Sequence, residues 1–253
     1  MQVRPTIKRP MNLAHRGARK AAPENTLAAF ALARDLGADG IELDTFLCAS
    51  GELVVTHDDD LSIWSNGSGQ ISNTPLTVLK ELDFGSHFSS NFRDEKIPTL
   101  QEVMDLLPTS MLINIEIKTL SLRPTKEVKA VVELVKKNNS FSRVLISSFN
   151  PVILYHLKKL SPNIARGLLF ESRLPIHFGK INSSLLKLHA LHPPAHLTNE
   201  KLLQLARKNG YQVNTWTVNE QNEMHRLIDL GVNSIITDYP DRLKQVFIER
   251  NLI

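Results

Sequence analysis

Two histidines stand out by what lies beside them: His15 opens His15-Arg16-Gly17, and His57 closes Val54-Val55-Thr56-His57 ahead of Asp58. Charged residues recur at a spacing of two, with Glu42 and Asp44 in Ile41-Glu42-Leu43-Asp44 and with Glu116 two positions before Lys118. In a β-strand, residues two apart project to the same face, so each pair shares one side of its strand. Three carboxylates converging in a closed space repel one another and lose hydration, and a bound cation offsets both penalties. Ligands that are all oxygen suit Mg2+ or Ca2+. The same Glu42, Asp44 and Glu116 would also fit a buried ion-pair network with Arg16 and Lys118, and spacing alone leaves both readings open. Histidines next to such a site have the right titration range for moving protons. The chain holds nine of them, so position has to separate a catalyst from a structural residue.

The elements that must position these groups follow from hydrophobic patterning. Short apolar runs read as strands at Met11–His15, Gly40–Phe46, Leu53–His57, Met111–Lys118, Arg143–Ser147, Ala165–Phe170, Leu186–His192, Gln212–Thr217 and Ser234–Thr237. Between them, Asn25 or Thr26 caps an amphipathic run ending at Gly37, and helices are predicted over Thr125–Asn138, Pro151–Leu160, Asn199–Lys208, Glu220–Leu230 and Asp241–Glu249. Alternating strands and helices imply a parallel sheet. A chain of 253 residues with 42% hydrophobic content matches one (β/α)8 barrel, which typically takes ~250 residues, so a single domain over 1–253 is expected. Barrel enzymes carry their reactive groups at the C-terminal ends of strands, and the singled-out residues fall there.

Nine strand candidates are one too many for that barrel. The stretch from Asp44 to His57 is too short for a crossover helix and must double back as a hairpin. With Ser50-Gly51 as a two-residue turn, Ala49 pairs with Glu52, Leu47 with Val54, and Asp44 with His57; a different turn shifts the register by one residue. Residues 58–96 break the rhythm with polar, Gly- and Ser-containing sequence, including Ser65-Asn66-Gly67-Ser68-Gly69, around one short helical stretch near Pro75–Leu82. They read as an insertion over the barrel mouth.

Composition narrows the partners. The net charge of +4 comes from 30 Lys and Arg spread along the chain without a basic tract, which gives nucleic-acid binding little support. A small anionic substrate fits, since one or two cations hold a phosphate. The lone Cys48 excludes an internal disulfide and suits a reducing compartment. The first ten residues carry charges with no apolar run behind them, so they are not a signal peptide, and no window of about 18 apolar residues suggests a transmembrane segment. A cytoplasmic protein is expected.

Taken in order, the motifs resemble the glycerophosphodiester phosphodiesterase family over nearly the whole chain. They are His15-Arg16-Gly17, Pro23-Glu24-Asn25-Thr26 with Phe30, Gly37 through Asp44, Val54 through Asp58, Ile97-Pro98-Thr99-Leu100, Ile115-Glu116-Ile117-Lys118, Ser147-Ser148-Phe149, Asn214 through Asn219, and Ile236-Thr237-Asp238-Tyr239-Pro240. The resemblance implies a distorted (β/α)8 barrel that hydrolyses glycerophosphodiesters to an alcohol and sn-glycerol 3-phosphate. It also implies one divalent cation on Glu42, Asp44 and Glu116, with His15 and His57 as acid and base in an order left open. Arg16 and Lys118 would contact the phosphate, and Trp216 would wall the alcohol. After His57-Asp58 the family commonly continues toward Arg-Thr-Thr, whereas this chain has Ile63-Trp64-Ser65, so a cation at the mouth is missing and substrate preference is affected. Two alternatives remain: a lysophospholipase D-like enzyme using Phe84, Phe88 and Phe92 as an apolar groove, and a catalytically silent phosphodiester-binding barrel.

Overall fold

The computed structural model describes residues 9–119, 125–172 and 185–253. Strand β1 (Met11–His15) pairs in parallel with β2 (Gly40–Leu47), and β2 pairs in turn with β4 (Leu112–Ile117). The series continues through β5 (Val144–Ser148), β6 (Ala165–Leu169), β7 (Ala190–His192), β8 (Gln212–Thr215) and β9 (Ser234–Thr237). Strand β9 then pairs with β1, which closes an eight-stranded parallel barrel. The ninth strand, β3 (Leu53–Val55), runs antiparallel against the far end of β2, as the short connection required.

Alternation along each strand sorts its residues. Ile41 and Leu43 of β2, and Ile113, Ile115 and Ile117 of β4, pack outward against Phe30 and Ala33 of the helix Leu27–Asp35, Leu100 and Val103 of Leu100–Leu106, and Val128 and Val131 of Thr125–Lys137. A second cluster does the same for Leu191, Val213 and Ile235 against Leu203, Leu227 and Phe247. The intervening residues, Glu42, Asp44, Asn114 and Glu116 among them, must therefore project into the barrel. Hydrophobic burial on the outer face thus aims the polar residues inward.

The hairpin register differs from the two-residue-turn expectation by one. Thr45 faces Val55, Phe46 faces Val54 and Leu47 faces Leu53, so Asp44 stands opposite Thr56 and not His57. The cause is the turn: Gly51 N–H donates to Cys48 O at 3.0 Å, Gly51 sits at φ +99°, and Cys48 N–H donates to Glu52 O. Three residues, Ala49 to Gly51, therefore make the loop, with glycine in the left-handed position that side chains avoid. Strand β7 is also shorter than its apolar run, because the Leu186 and Lys187 carbonyls accept from the buried Arg166 guanidinium at 2.9 and 3.1 Å rather than from a neighbouring strand. The helix Leu100–Leu106 was not anticipated; its start is a capping box in which Thr99 Oγ1 accepts from Glu102 N–H and Glu102 Oε2 accepts from Thr99 N–H at 2.7 Å.

The insertion forms two single-turn helices, Leu61–Trp64 and Leu76–Leu79, joined by short 3-10 turns. Leu61, Ile71, Leu79 and Phe84 cluster with Phe46, Cys48 and Val54, so the insertion is seated on the hairpin by an apolar core of its own. Among the described residues, no helix is long and apolar enough to cross a membrane.

Candidate active site

At the C-terminal end of the barrel, β2 contributes Glu42 and Asp44, and β4 contributes Glu116. One carboxylate oxygen from each lies within 4.8 Å of the others. All three are buried, with Asp44 only 1% exposed. Asp44 and Glu116 are paired across the ladder, which is why two strands suffice to bring three acids together. Burial, then repulsion from Asp44 and Glu116, pushes Glu42 well above the usual carboxylate range. Glu116 is pushed up to about 7 by burial and by Asp44. Asp44 goes the other way: burial opposes its charge, but Arg16 and Lys118 outweigh it and hold it low. Glu42 Oε2 is buried without a hydrogen-bond partner among the described residues. A solvent-free acceptor aimed among crowded carboxylates is what a hard cation would satisfy, so the donor set fits a divalent ion.

The cations expected at the site are there. Arg16 Nη1 donates to Glu24 Oε1 at 2.7 Å and its Nε lies 3.1 Å from Asp44 Oδ2. Lys118 Nζ lies 2.8 Å from Glu116 Oε1 and 3.4 Å from Asp44 Oδ1. Although burial works against its charge, Asp44 and Glu116 hold the Lys118 ammonium above its ordinary value. Asn25 and Thr26 have divided their tasks. Thr26 caps the helix Leu27–Asp35 by accepting from Ala29 N–H, while Asn25, at φ +58°, donates from Nδ2 to Asp44 Oδ2 at 3.1 Å. Arg16 is likewise left-handed, at φ +54°. Two non-glycine residues in that region beside one carboxylate are a form of strain that concentrates at functional sites.

Both candidate histidines have an aspartate. His15 Nδ1 lies 2.7 Å from Asp238 Oδ1, and its Nε2 is 3.9 Å from Glu42 Oε2. Asp238 follows β9 and also accepts from Asn219 Nδ2 at 2.8 Å. Burial, aided by the Arg16 charge, holds His15 below its ordinary value despite the Asp238 hydrogen bond. His57 Nδ1 lies 3.0 Å from Asp58 Oδ2, and that oxygen also accepts from Trp64 Nε1 at 2.7 Å. For Asp58, burial acts to raise its value, but the hydrogen bonds from His57 and Trp64 prevail and lower it. With Nδ1 of each ring committed to a carboxylate, Nε2 is left as the nitrogen available for chemistry.

Sequence reasoning missed Asp238, Glu24 and the Asn25 contact. Asp238 was within reach, since the strand-end rule applied to β9 singles it out. Glu24 and Asn25 come from a loop, and only folding places them against Arg16 and Asp44. Trp216 stands at the end of β8 with Nε1 donating to His192 O at 2.8 Å and its ring edge-to-face with Phe149 at 5.8 Å. In the insertion, Phe84 is buried in the apolar core while Phe88 and Phe92 pair with each other, ring centroids 5.6 Å apart.

The sequence model of the glycerophosphoryl diester phosphodiesterase family matches residues 15–242. A glycerophosphodiester phosphodiesterase of Caldanaerobacter subterraneus is 41% identical over 235 residues, covering 91% of this chain and 95% of that relative. One from Bacillus subtilis is 31% identical, covering 94% and 86%. A phosphodiesterase of Oleispira antarctica, solved in complex with its product sn-glycerol-3-phosphate, superposes with a TM-score of 0.89 at 32% identity, over 95% of this chain and 97% of the other.

Proposed function

The chain belongs to the glycerophosphoryl diester phosphodiesterase family, and on that premise we propose that it hydrolyses glycerophosphodiesters to an alcohol and sn-glycerol 3-phosphate, with His15 and His57 moving the protons. The observation that carries the proposal is the pairing of two aspartate-bound histidines with three buried carboxylates, of which Glu42 Oε2 has no hydrogen-bond partner among the described residues. Glu42, Asp44 and Glu116 would hold one divalent cation, Mg2+ or Ca2+, which when bound supplies Lewis-acid neutralisation of the phosphodiester oxygens.

The residues of the chain do the rest. Arg16 and Lys118, now turned toward carboxylates, present guanidinium and ammonium donors within reach of a nonbridging phosphate oxygen, and their charge offsets the charge that builds there. One histidine Nε2 accepts the proton of the attacking hydroxyl. The other donates a proton to the departing alkoxide. Asp238 and Asp58 keep Nδ1 of each ring protonated and stabilise the imidazolium as it forms. Trp216, with Phe149 against it, walls the side where the alcohol leaves.

Soluble diesters should be preferred to lysolipids. The three insertion phenylalanines do not line one groove, since Phe84 is spent on the core beneath. Turnover of glycerophosphocholine, with sn-glycerol 3-phosphate measured as product, should be abolished by chelation and restored by Mg2+ or Ca2+. Binding without turnover would identify a silent barrel, and equal or greater kcat/KM on lysophosphatidylcholine would make the lipid the substrate.

A further inference from the structure

The His57 imidazole is not fixed by the barrel alone. His57 and Asp58 lie past the end of β3, and both side chains are about one-third exposed, at 30% and 31%. A carboxylate so placed is free to turn into solvent unless a second donor holds it. Asp58 has one: its Oδ2, the oxygen that meets His57 Nδ1, accepts from the indole Nε1–H of Trp64. Trp64 closes the single-turn helix Leu61–Trp64, which is itself well anchored. Asp60 caps its start by accepting from Ser62 N–H at 2.9 Å, and Leu61 is buried in the insertion core. The indole edge also meets the His87 ring at 5.5 Å.

We propose that Trp64 is a positioning residue for His57, acting through Asp58. The indole N–H can only donate, so it pins Oδ2 as an acceptor, and Asp58 in turn keeps the proton on His57 Nδ1 and leaves Nε2 free. His15 has a matching device on the other side of the site, where Asn219 Nδ2 pins Asp238. The difference lies in origin: Asn219 belongs to the barrel rim, whereas Trp64 belongs to the insertion. The insertion is thereby part of the proton-transfer apparatus as well as a cover for it.

This inference rests on the two-histidine reading, and its test separates the two. Trp64→Phe keeps an aromatic ring but removes the N–H together with the five-membered half of the indole, so an Asp58→Ala background is needed to separate the hydrogen bond from packing. On glycerophosphocholine, kcat should fall roughly tenfold, with KM within about twofold of wild type and little change in Tm, since a hydrogen bond to a charged acceptor is lost at a surface-linked site. In an Asp58→Ala background the same substitution should cost nothing further, because its route to His57 has been removed. A Trp64 that only packs the insertion would give the same loss in both backgrounds. Ring 15N spectra of His57, assigned against His57→Gln, should show the Nδ1–H tautomer in wild type and a mixture in Trp64→Phe. Wild-type kcat and an unchanged tautomer in Trp64→Phe, beside an inactive His57→Ala, would overturn this proposal alone. Near-normal turnover by His57→Ala would overturn the two-histidine reading and this inference with it.

Discussion

The barrel interior is divided into two unlike arcs. On β1, β2 and β4 the inward positions near the mouth are His15, Glu42, Asp44 and Glu116, a charged set entangled with Arg16 and Lys118. On β5, β7 and β8 the corresponding positions are Ser147, His192 and Asn214, which are at most 1% exposed and carry no charge. His192 Nε2 lies 3.1 Å from Asn214 Nδ2, and burial alone pushes its ring down to about 3, so it stays neutral. Desolvating carboxylates can cost more than their pairing returns, so the charged arc is weak evidence for stability and fits the cation proposed for it. The neutral arc is the reverse: it fills space and fixes the walls. A histidine in either arc would look alike in composition; what separates them is the aspartate behind His15, and behind His57 beside the charged arc, which supports the proton-transfer role proposed for those two.

The largest effects should come from the charged arc. His15→Ala and His57→Ala should each lower kcat by roughly 10²–10⁴ while calorimetry shows unchanged cation binding. On an aryl phosphodiester, whose leaving group departs without protonation, the variant lacking the acid should recover and the one lacking the base should not. Both variants keeping near-normal kcat would erase the functional distinction between the arcs.

Glu116→Gln should act on the ion and not on proton transfer. Removing one anionic ligand of nearly unchanged shape should weaken cation affinity by roughly tenfold or more, with activity partly restored by excess metal. No such rescue should occur for either histidine variant. A Glu116→Gln protein insensitive to metal concentration would return the three acids to a purely structural ion-pair network.

Substitutions in the neutral arc should cost stability and leave chemistry alone. A Cβ at Gly167 would come within 2.4 Å of His192 Nε2 and 2.6 Å of its Cδ2, with the ring walled in by the barrel. Gly167→Ala should therefore destabilise by about 1–3 kcal/mol in denaturant melts, with kcat per folded molecule near wild type. A large loss of kcat at full stability would show that the neutral arc takes part in catalysis.

A comparable effect, spread over several pH units, is a slope with pH. His192 binds a proton near 6.5 when unfolded and only near 3 when folded, so the unfolded state takes up the proton first. Its contribution is fully present above pH 6.5 and is lost as pH falls toward 3, which amounts to about 2 kcal/mol by pH 5. His192→Gln should flatten that part of the stability curve. An unchanged slope would mean that the ring titrates normally and that the arc is wetter than its burial indicates.

Much of this was legible in the sequence because it depends on local periodicity. Alternation with period two fixed which face Glu42, Asp44 and Glu116 share, and strand–helix alternation fixed the barrel; neither needs long-range information. The ordered motifs then pointed to the candidate site residues. What the sequence left undecided depends on where separate segments meet. The hairpin register turned on Gly51 taking a left-handed conformation in a three-residue loop, a choice between turns of similar energy that Ser50-Gly51 does not settle by itself. Asp238 meets His15 only because β9 returns to β1, 223 residues away in sequence. Asn25 reaches Asp44 from a loop, and Trp64 reaches Asp58 because the insertion folds on its own apolar core. Which carboxylate stands behind His15 is set by barrel closure, and what holds Asp58 against its sequence neighbour His57 is set by insertion packing; no local pattern encodes either.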